Sequence, residues 1–184
     1  MLIARSLQEA HLYMDLHPCG CGAGQFAREH RLEDRDGALT AVFEGTCPQC
    51  GRARSFVFRM ADELPPAPPA FGGDEPSHII DPGEFMWISD EISTESGLRL
   101  LNTAPAEHRA IRPATAYAIA ALEEVAKFLP PDQDRIPQER FVSERGRALY
   151  AKDAGRFTRN VIAESLKLKR SILAGIDHFS PPRG

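Results

Sequence analysis

Two hydrophobic periodicities divide the chain. In residues 3–16 the apolar positions recur at helical spacing, and Pro18 ends this pattern. From residue 19 to residue 60 apolar and polar positions alternate in short runs, and Asp36-Gly37 supplies the turn signal of a β-hairpin. The chain is therefore predicted to begin with a short helix that is followed by β-strands.

Helical periodicity returns after residue 78. Residues 81–84, Asp-Pro-Gly-Glu, have the arrangement of a capping box with proline at the first helical position, and we expect this helix to run to about Ser93. Further helices are predicted over residues 114–129, 138–151 and 156–174. Gly175 is expected to end the last helix, and the tail from Ser180 is expected to be loosely ordered.

The stretch between these two parts, residues 64–73, is rich in proline and glycine, a composition that disfavours regular secondary structure. We place the domain boundary there. The predicted organisation is an N-terminal helix with a small β module in residues 1–62, a proline-rich linker in residues 63–78, and a helical bundle domain in residues 79–184. The predicted fold class is α+β.

Four cysteines carry the strongest chemical signal. They form two close pairs, Cys19-x-Cys21 and Cys47-x-x-Cys50, and each pair lies in a glycine-containing turn sequence. Two such pairs of thiolates, when they are brought together, make a tetrahedral zinc site. The order of a cysteine turn, hairpin strands, a second cysteine turn and a further strand resembles a zinc ribbon over residues 17–60.

The sequence predicts a structural Zn²⁺ ion held by Cys19, Cys21, Cys47 and Cys50. Four thiolate ligands leave no coordination position for a reactive water, so the predicted site is closed to catalysis. Two alternatives stay open. His17 could replace a ligand of the shorter first pair, and Cys47-x-x-Cys50 could act as a redox dithiol, which requires a helix-start context that this segment lacks.

Charge is distributed unevenly along the chain, although the net charge is only −4. Residues 17–60 carry six arginines against five acids, residues 61–136 carry five basic residues against fourteen acids, and residues 137–184 carry ten basic residues against five acids. Phosphate binding needs a surplus of basic side chains on one surface. The near-neutral cysteine segment therefore disfavours nucleic-acid binding by the ribbon.

The last predicted helix is the basic part of the chain. It carries arginines and lysines at 156, 159, 167, 169 and 170 against the single acid Glu164. Such a helix could contact RNA, a membrane surface or an acidic partner. The acidic middle segment of the same chain offers a simpler explanation, and we expect internal pairing of opposite charges.

Trp87, the single tryptophan, lies off the apolar stripe that Phe85, Ile88 and Ile92 form on the first helix of the helical domain. It could pack against the other domain or await a partner, and both interpretations stay open. Tryptophan is over-represented at binding hot spots. We therefore consider Trp87 a candidate partner-binding residue.

Catalytic signatures were not found in the sequence. It has no glycine-rich phosphate loop that leads into a helix, no G-x-S-x-G and no H-E-x-x-H, and its six histidines are scattered. No apolar run approaches the roughly 20 residues of a membrane span, and the N-terminus lacks a secretory pattern. Paired cysteines without a secretory signal indicate a cytoplasmic metal-binding protein.

The sequence thus favours a non-enzymatic, zinc-stabilised protein–protein interaction protein, such as an adaptor, an accessory factor or an immunity-type inhibitor. One alternative is a nucleic-acid-binding regulator that uses the ribbon and the basic last helix. Another alternative is a small enzyme with an unrecognised site. The expected partner is a protein, nucleic acid is less favoured, and no membrane association is expected.

Overall fold

A computed structural model describes residues 1–179, except for the side chain of Ala106. The predicted tail from Ser180 lies outside the described residues. The chain divides into two compact units, Met1–Ile80 and Asp81–Gly184. A four-stranded sheet in the first unit and helices in both units confirm the α+β class.

The first unit contains one helix and four strands. Their bounds are β1 Leu2–Ala4, α1 Leu7–Leu16, β2 Glu29–Arg35, β3 Ala38–Thr46 and β4 Ala53–Met60. The strands lie in the order β1-β4-β3-β2. Strands β2, β3 and β4 are antiparallel neighbours, whereas β1 pairs in parallel with β4.

The start of the chain differs from the prediction. A single helix was expected over residues 3–16, but residues 2–4 form β1 and the helix begins only at Leu7. The Ser6 side chain accepts a hydrogen bond from the backbone N–H of Glu9, and this N-cap fixes the helix start. Strand β1 is three residues long and exists because β4 pairs with it, so local periodicity does not reveal it.

The hairpin turn at Asp36-Gly37 is confirmed. Both residues have positive φ angles, 57° and 77°, as the two central residues of a type I′ hairpin turn require. Gly37 adopts this conformation without steric cost, and aspartate is one of the few other residues that tolerate it. The turn sets the register of β2 against β3, in which Arg35 faces Ala38.

Helix α1 packs on one face of the sheet. Ala10 and Met14 of the helix are fully buried against Phe43 of β3 and Phe58 of β4. The aromatic rings of Phe43 and Phe58 meet edge to face, with centroids 5.9 Å apart. This cluster is the hydrophobic core of the first unit and supports the strands that lead to the cysteines.

The proline-rich segment belongs to the first unit. The Ser6 hydroxyl donates a hydrogen bond to the carbonyl of Phe71 (2.7 Å), and the Gln8 amide donates one to the carbonyl of Pro69 (2.6 Å). The Phe71 side chain is fully buried. Residues that we expected to form a linker are thus held by hydrogen bonds to the start of α1.

The second unit is helical. Its helices are α2 Pro82–Asn102, α3 Arg112–Lys127, α4 Glu144–Lys152 and α5 Arg159–Phe179, and three 3₁₀ segments lie at Pro105–Ile111, Gln138–Arg140 and Ala154–Phe157. The predicted capping box at Asp81 is confirmed. Two predicted ends are wrong, because α2 continues past Ser93 and α5 continues through Gly175.

The Asp81 carboxylate joins two helices of the second unit. One oxygen accepts hydrogen bonds from the backbone N–H groups of Gly83 and Glu84 at the start of α2. The other accepts from the N–H groups of Val142 and Ser143, just before α4. A buried carboxylate with four donors is well satisfied and fixes the two helix starts together. Within the described residues, no helix is long and apolar enough to cross a bilayer.

Candidate metal centre

The second cysteine pair lies on the connection between β3 and β4. The backbone N–H of Gly51 donates to the carbonyl of Cys47 (3.0 Å), and the N–H of Cys47 donates to the carbonyl of Arg52 (2.9 Å). Gly51 has a φ of 71°, which favours glycine at this position. The result is a tight turn that presents Cys47 and Cys50 from one end of the sheet.

The first cysteine pair, between α1 and β2, repeats this turn in a form that is one residue shorter. Here the N–H of Gly22 donates to the carbonyl of Cys19 (2.7 Å), and the N–H of Cys19 donates to the carbonyl of Ala23 (2.8 Å). Gly22 has a φ of 94° and corresponds to Gly51. The C-x-C spacing is therefore accommodated by a matching backbone turn.

The structure brings all four sulfur atoms together. They lie within 4.8 Å of one another, with 3.6 Å between Cys19 and Cys50 and 3.5 Å between Cys21 and Cys47. These distances are far longer than the roughly 2.05 Å of a disulfide bond, so the cysteines are free thiols. The two turns thus interleave their sulfurs around one centre.

This arrangement fits a single tetrahedral ion. A metal–sulfur distance of about 2.3 Å places neighbouring sulfurs of a tetrahedron about 3.8 Å apart, close to the separations seen here. Among residues 1–179, these four cysteines are the set of potential ligands that clusters closely enough for one ion. The site is thus compatible with a metal ion.

Backbone donors and neighbouring thiols shift the cysteine pKa values in opposite directions. The N–H of Cys21 is the main cause that lowers the pKa of Cys19 to about 6, and the N–H groups of Cys50 and Gln49 lower the pKa of Cys47. The N–H of Arg52 lowers the pKa of Cys50, but the other three thiols outweigh it and raise that pKa to about 11. Ionising all four sulfurs together therefore requires a compensating positive charge.

Burial differs within each pair. Cys19 and Cys47 are only 4% and 2% exposed, whereas Cys21 and Cys50 are exposed. Each turn therefore contributes one sulfur on the protein side of the cluster and one on the solvent side. An ion held here would be enclosed by protein on one side and reached from solvent on the other.

His17 lies outside this cluster. Its Nδ1 is 2.7 Å from the carbonyl of Tyr13, and its ring stacks on the Tyr13 ring with centroids 3.9 Å apart. The close group of potential ligands contains the four cysteines without His17. The alternative in which His17 replaces a cysteine therefore has no geometric support.

Arginines around the sheet are engaged with the protein itself. The Arg54 guanidinium donates to the carbonyl of His17 (2.6 Å) and lies over the rings of Phe26 and Phe56, about 5 Å from each centroid. Arg31 pairs with Glu33 and Glu44, both at 2.5 Å. These contacts reduce the basic surface that a nucleic acid would need.

The predicted pairing of the basic last helix with the acidic middle segment is confirmed. Arg156, just before α5, contacts Asp90 of α2 at 2.6 Å, and Arg170 of α5 contacts Glu123 of α3 at 2.7 Å. Both pairs lie within the helical unit. These two arginines of the proposed nucleic-acid surface thus hold the helices of their own unit together.

The structure places Trp87 on α2, half-buried, beneath the Arg145 side chain of α4. The guanidinium carbon of Arg145 is 4.0 Å from the centroid of the Trp87 ring, a cation–π geometry. No pattern in the sequence indicates Arg145 as the residue that contacts Trp87. Arg145 is exposed, so the pair forms part of the protein surface.

A cavity in the helical unit escaped prediction. It lies among α2, α3 and α5, has a volume of about 210 Å³, and is lined by Lys169 and Arg156 together with apolar and small polar side chains. A signal for it does exist in the sequence. Lys169 occupies a position between Ile162 and Ile176 on the inward-facing stripe of α5, where helical spacing calls for an apolar residue.

Comparisons with protein-family models, curated proteins and solved structures found no match to this chain. Its function therefore has to be argued from its own sites.

Proposed function

We propose that this chain is a non-enzymatic protein–protein interaction protein of the cytoplasm, stabilised by a structural zinc ion. The observation that carries the proposal is the closed cluster of four thiols at Cys19, Cys21, Cys47 and Cys50. A set of four protein ligands completes a tetrahedral zinc site and leaves no position at which water or substrate could bind the ion. The role of the metal is therefore to hold the fold.

Zinc is an ion that this donor set suits. Tetrahedral sites made of four thiolates select zinc or iron over hard cations, which prefer oxygen ligands. The sulfur separations of 3.5 and 3.6 Å suit a single ion between the two turns. Free thiols in close pairs also suit a reducing compartment such as the cytoplasm, where paired cysteines more often bind metals than form disulfides.

Such an ion would stabilise an irregular part of the first unit. Two residues separate the end of α1 from Cys19. The segment from Cys19 to Ala27, which leads to β2, has little regular structure. An ion bound by all four cysteines would cross-link this irregular segment to the connection between β3 and β4. Binding of a structural zinc ion contributes on the order of 10 kcal/mol of apparent free energy to folding.

The helical unit supplies the proposed contact surface. The half-buried Trp87 and the exposed Arg145 form a pair at the surface, and these two residue types are enriched at interface hot spots. Exposed aliphatic side chains on α2, Leu98 at 58% and Leu101 at 84% exposure, add apolar surface in the same unit. A protein partner that covers such residues would remove apolar area from water.

Affinity capture from the native host, with quantitative comparison of variants, tests the interaction. We expect a partner that the native protein retains and Trp87→Ala loses. Phe179→Ala is the control, because Phe179 is an exposed aromatic residue at the far end of α5. If every captured protein binds the native chain and Trp87→Ala equally well, Trp87 is not the contact. If capture depends on added nucleic acid or falls steeply with salt, the proposal of a protein partner is wrong.

A further inference from the structure

The cavity of the helical unit has an apolar body and a charged wall. Met86 and Leu100 of α2, Leu122 of α3 and Ile172 of α5 supply most of its apolar lining. Its volume of about 210 Å³ exceeds the 150 Å³ of a cavity that admits benzene, so it has room for about eight to ten non-hydrogen atoms. The size is that of a small metabolite.

The charged wall is built around Lys169. Its Nζ donates hydrogen bonds to the hydroxyl of Ser93 and, at 3.4 Å, to the carbonyl of Ser89. An ammonium group has three donors, so these two contacts leave one direction for a further acceptor. Burial is the main cause that lowers the pKa of Lys169, and the charge of Arg156 adds to it, while the attraction of Asp90 opposes it.

The other two charged residues of the lining neutralise each other. Arg156 donates to the Asp90 carboxylate at 2.6 Å. The cavity therefore carries one net positive charge, which is that of Lys169, because its remaining lining residues are uncharged. A partly buried cation beside apolar surface is best stabilised by an anionic oxygen.

One side of the cavity is accessible. Leu168 and Ile172 stand at the rim with 63% and 40% exposure. Gly97 of α2 also lines the cavity, and a Cβ at this position would meet no other atom within 4 Å. A ligand therefore finds both an entry from solvent and unfilled space beside α2.

We propose that this cavity binds a small amphipathic carboxylate, with the carboxylate on the Lys169 ammonium and the hydrocarbon body among Met86, Leu100 and Leu122. The site holds its ligand without covalent chemistry. The cavity is separate from the four-cysteine centre, whose residues lie between 19 and 50, and its lining does not include Trp87 or Arg145.

Titration of the full-length, metal-loaded protein with sodium octanoate tests this proposal by NMR. Octanoate has ten non-hydrogen atoms, and a ligand of that size in a matched pocket should bind with a dissociation constant below about 1 mM. Signals of residues around Gly97 and Lys169 should shift. The neutral analogue 1-octanol should bind at least about tenfold more weakly, since it lacks the charge that Lys169 recognises.

Two pairs of variants separate the pocket from general adsorption. Lys169→Met should weaken octanoate binding at least about tenfold, whereas Lys167→Met, the same change at an exposed position of α5, should leave it unchanged. Gly97→Leu fills the cavity and should abolish binding of both ligands. Gly175→Leu is its control, because Gly175 also lies in a helix with no atom near its would-be Cβ, but outside the lining.

Several results would overturn the proposal. These are an absence of shifts at millimolar octanoate, equal binding by the native protein and Lys169→Met, or binding that survives Gly97→Leu. Shifts confined to the exposed Leu98 and Leu101 would instead identify a non-specific apolar surface that a protein partner covers. Should Lys169→Met fail to fold, the Gly97→Leu and 1-octanol comparisons still decide the question.

Discussion

The Arg145 guanidinium lies 4.0 Å from the centroid of the Trp87 ring, so an arginine of α4 covers the single tryptophan of the chain. This contact explains why Trp87 can lie off the apolar stripe of α2 without full exposure. Cation–π contacts at partly exposed sites contribute about 0.5–1 kcal/mol. The pair is thus a modest structural contact and a recognisable surface feature at the same time.

Removing the arginine should uncover the indole. We expect Arg145→Ala to shift the tryptophan emission to longer wavelength and to increase its quenching by acrylamide, because the ring gains contact with water. Lys152→Ala, an exposed change at the end of the same helix, should leave both quantities as in the native protein. An unchanged emission spectrum in Arg145→Ala would show that the contact is not maintained in solution.

Loss of one thiol should release the metal. We expect the native protein to carry one zinc ion per chain by elemental analysis, and Cys47→Ser to carry none after dialysis. Cys47 is the most deeply buried of the four cysteines, so its loss leaves the cluster incomplete on the protein side. Gln49→Ser is the matched control, because Gln49 lies in the same turn and its side chain, which accepts a hydrogen bond from the Cys21 thiol at 3.6 Å, offers no sulfur to the ion.

The same variant should unfold the first unit selectively. Because zinc binding and folding of such modules are coupled, amide signals of the sheet should collapse to the unfolded region in the NMR spectrum of Cys47→Ser. The signals of α2 to α5 should stay dispersed, since these helices form the other compact unit. Collapse of all signals would mean that the two units depend on each other for folding.

Two glycines meet where α2 and α4 begin. A Cβ on Gly146 would collide with the Asp81 carboxylate, and a Cβ on Gly83 would collide with the backbone of Gly146. Gly146→Ala should therefore lower the free energy of unfolding by about 2 kcal/mol or more, which thermal or urea unfolding can measure.

Gly97→Ala is the matched comparison for this change. It is also a glycine-to-alanine substitution in a helix, but the added Cβ meets no other atom within 4 Å. Alanine favours helix over glycine by up to about 1 kcal/mol, so this variant should be more stable than the native protein. Equal destabilisation by the two substitutions would contradict the close packing of α2 against α4.

The sequence allowed correct prediction of those structural features that depend on residues close together in the chain. The Asp36-Gly37 turn and the capping box at Asp81 depend on neighbouring residues, and both were found in place. The spacing of the cysteines likewise indicated the two turns that present the sulfur atoms of the four-cysteine cluster. Interactions between distant residues determine the features that were missed or mislocated.

The ends of the long helices illustrate this limit. Glycine often ends a helix, and Gly175 was expected to do so. Helix α5 nevertheless continues to Phe179, because Ile176 is buried and Asp177 pairs with Arg112 of α3 at 2.6 Å. Helix α2 similarly passes through a polar run after Ser93, because Ser96 further along is buried in the unit. The cavity at Lys169 also depends on three helices, and its outline could not be predicted from any one of them.

The buried carboxyl of Glu84 should make stability depend on pH. Burial is the main cause that raises its pKa to about 7, and the nearby Asp81 carboxylate adds to the effect, while the hydrogen bond from the Asp81 N–H and the charge of Arg145 oppose it. The folded state therefore holds this proton more tightly than the unfolded state, in which a glutamate titrates near pH 4.3. Between these two values the folded state binds more protons, so the free energy of unfolding should fall as pH rises from about 4.3 to about 7 and level off above.

Glu84→Gln should remove this component of the pH dependence. The amide oxygen can still accept the hydrogen bond that the Asp81 N–H donates to Glu84 at 3.2 Å, so the capping box survives. We expect the variant to match the native protein at pH 4.5 and to exceed its free energy of unfolding by on the order of 2 kcal/mol at pH 8. Urea unfolding at the two pH values measures this, with Glu91→Gln on the exposed side of α2 as the control. The opposite result would be a native protein that becomes more stable than Glu84→Gln as pH rises. It would show that the ionised carboxylate, rather than the neutral acid, stabilises the helix start.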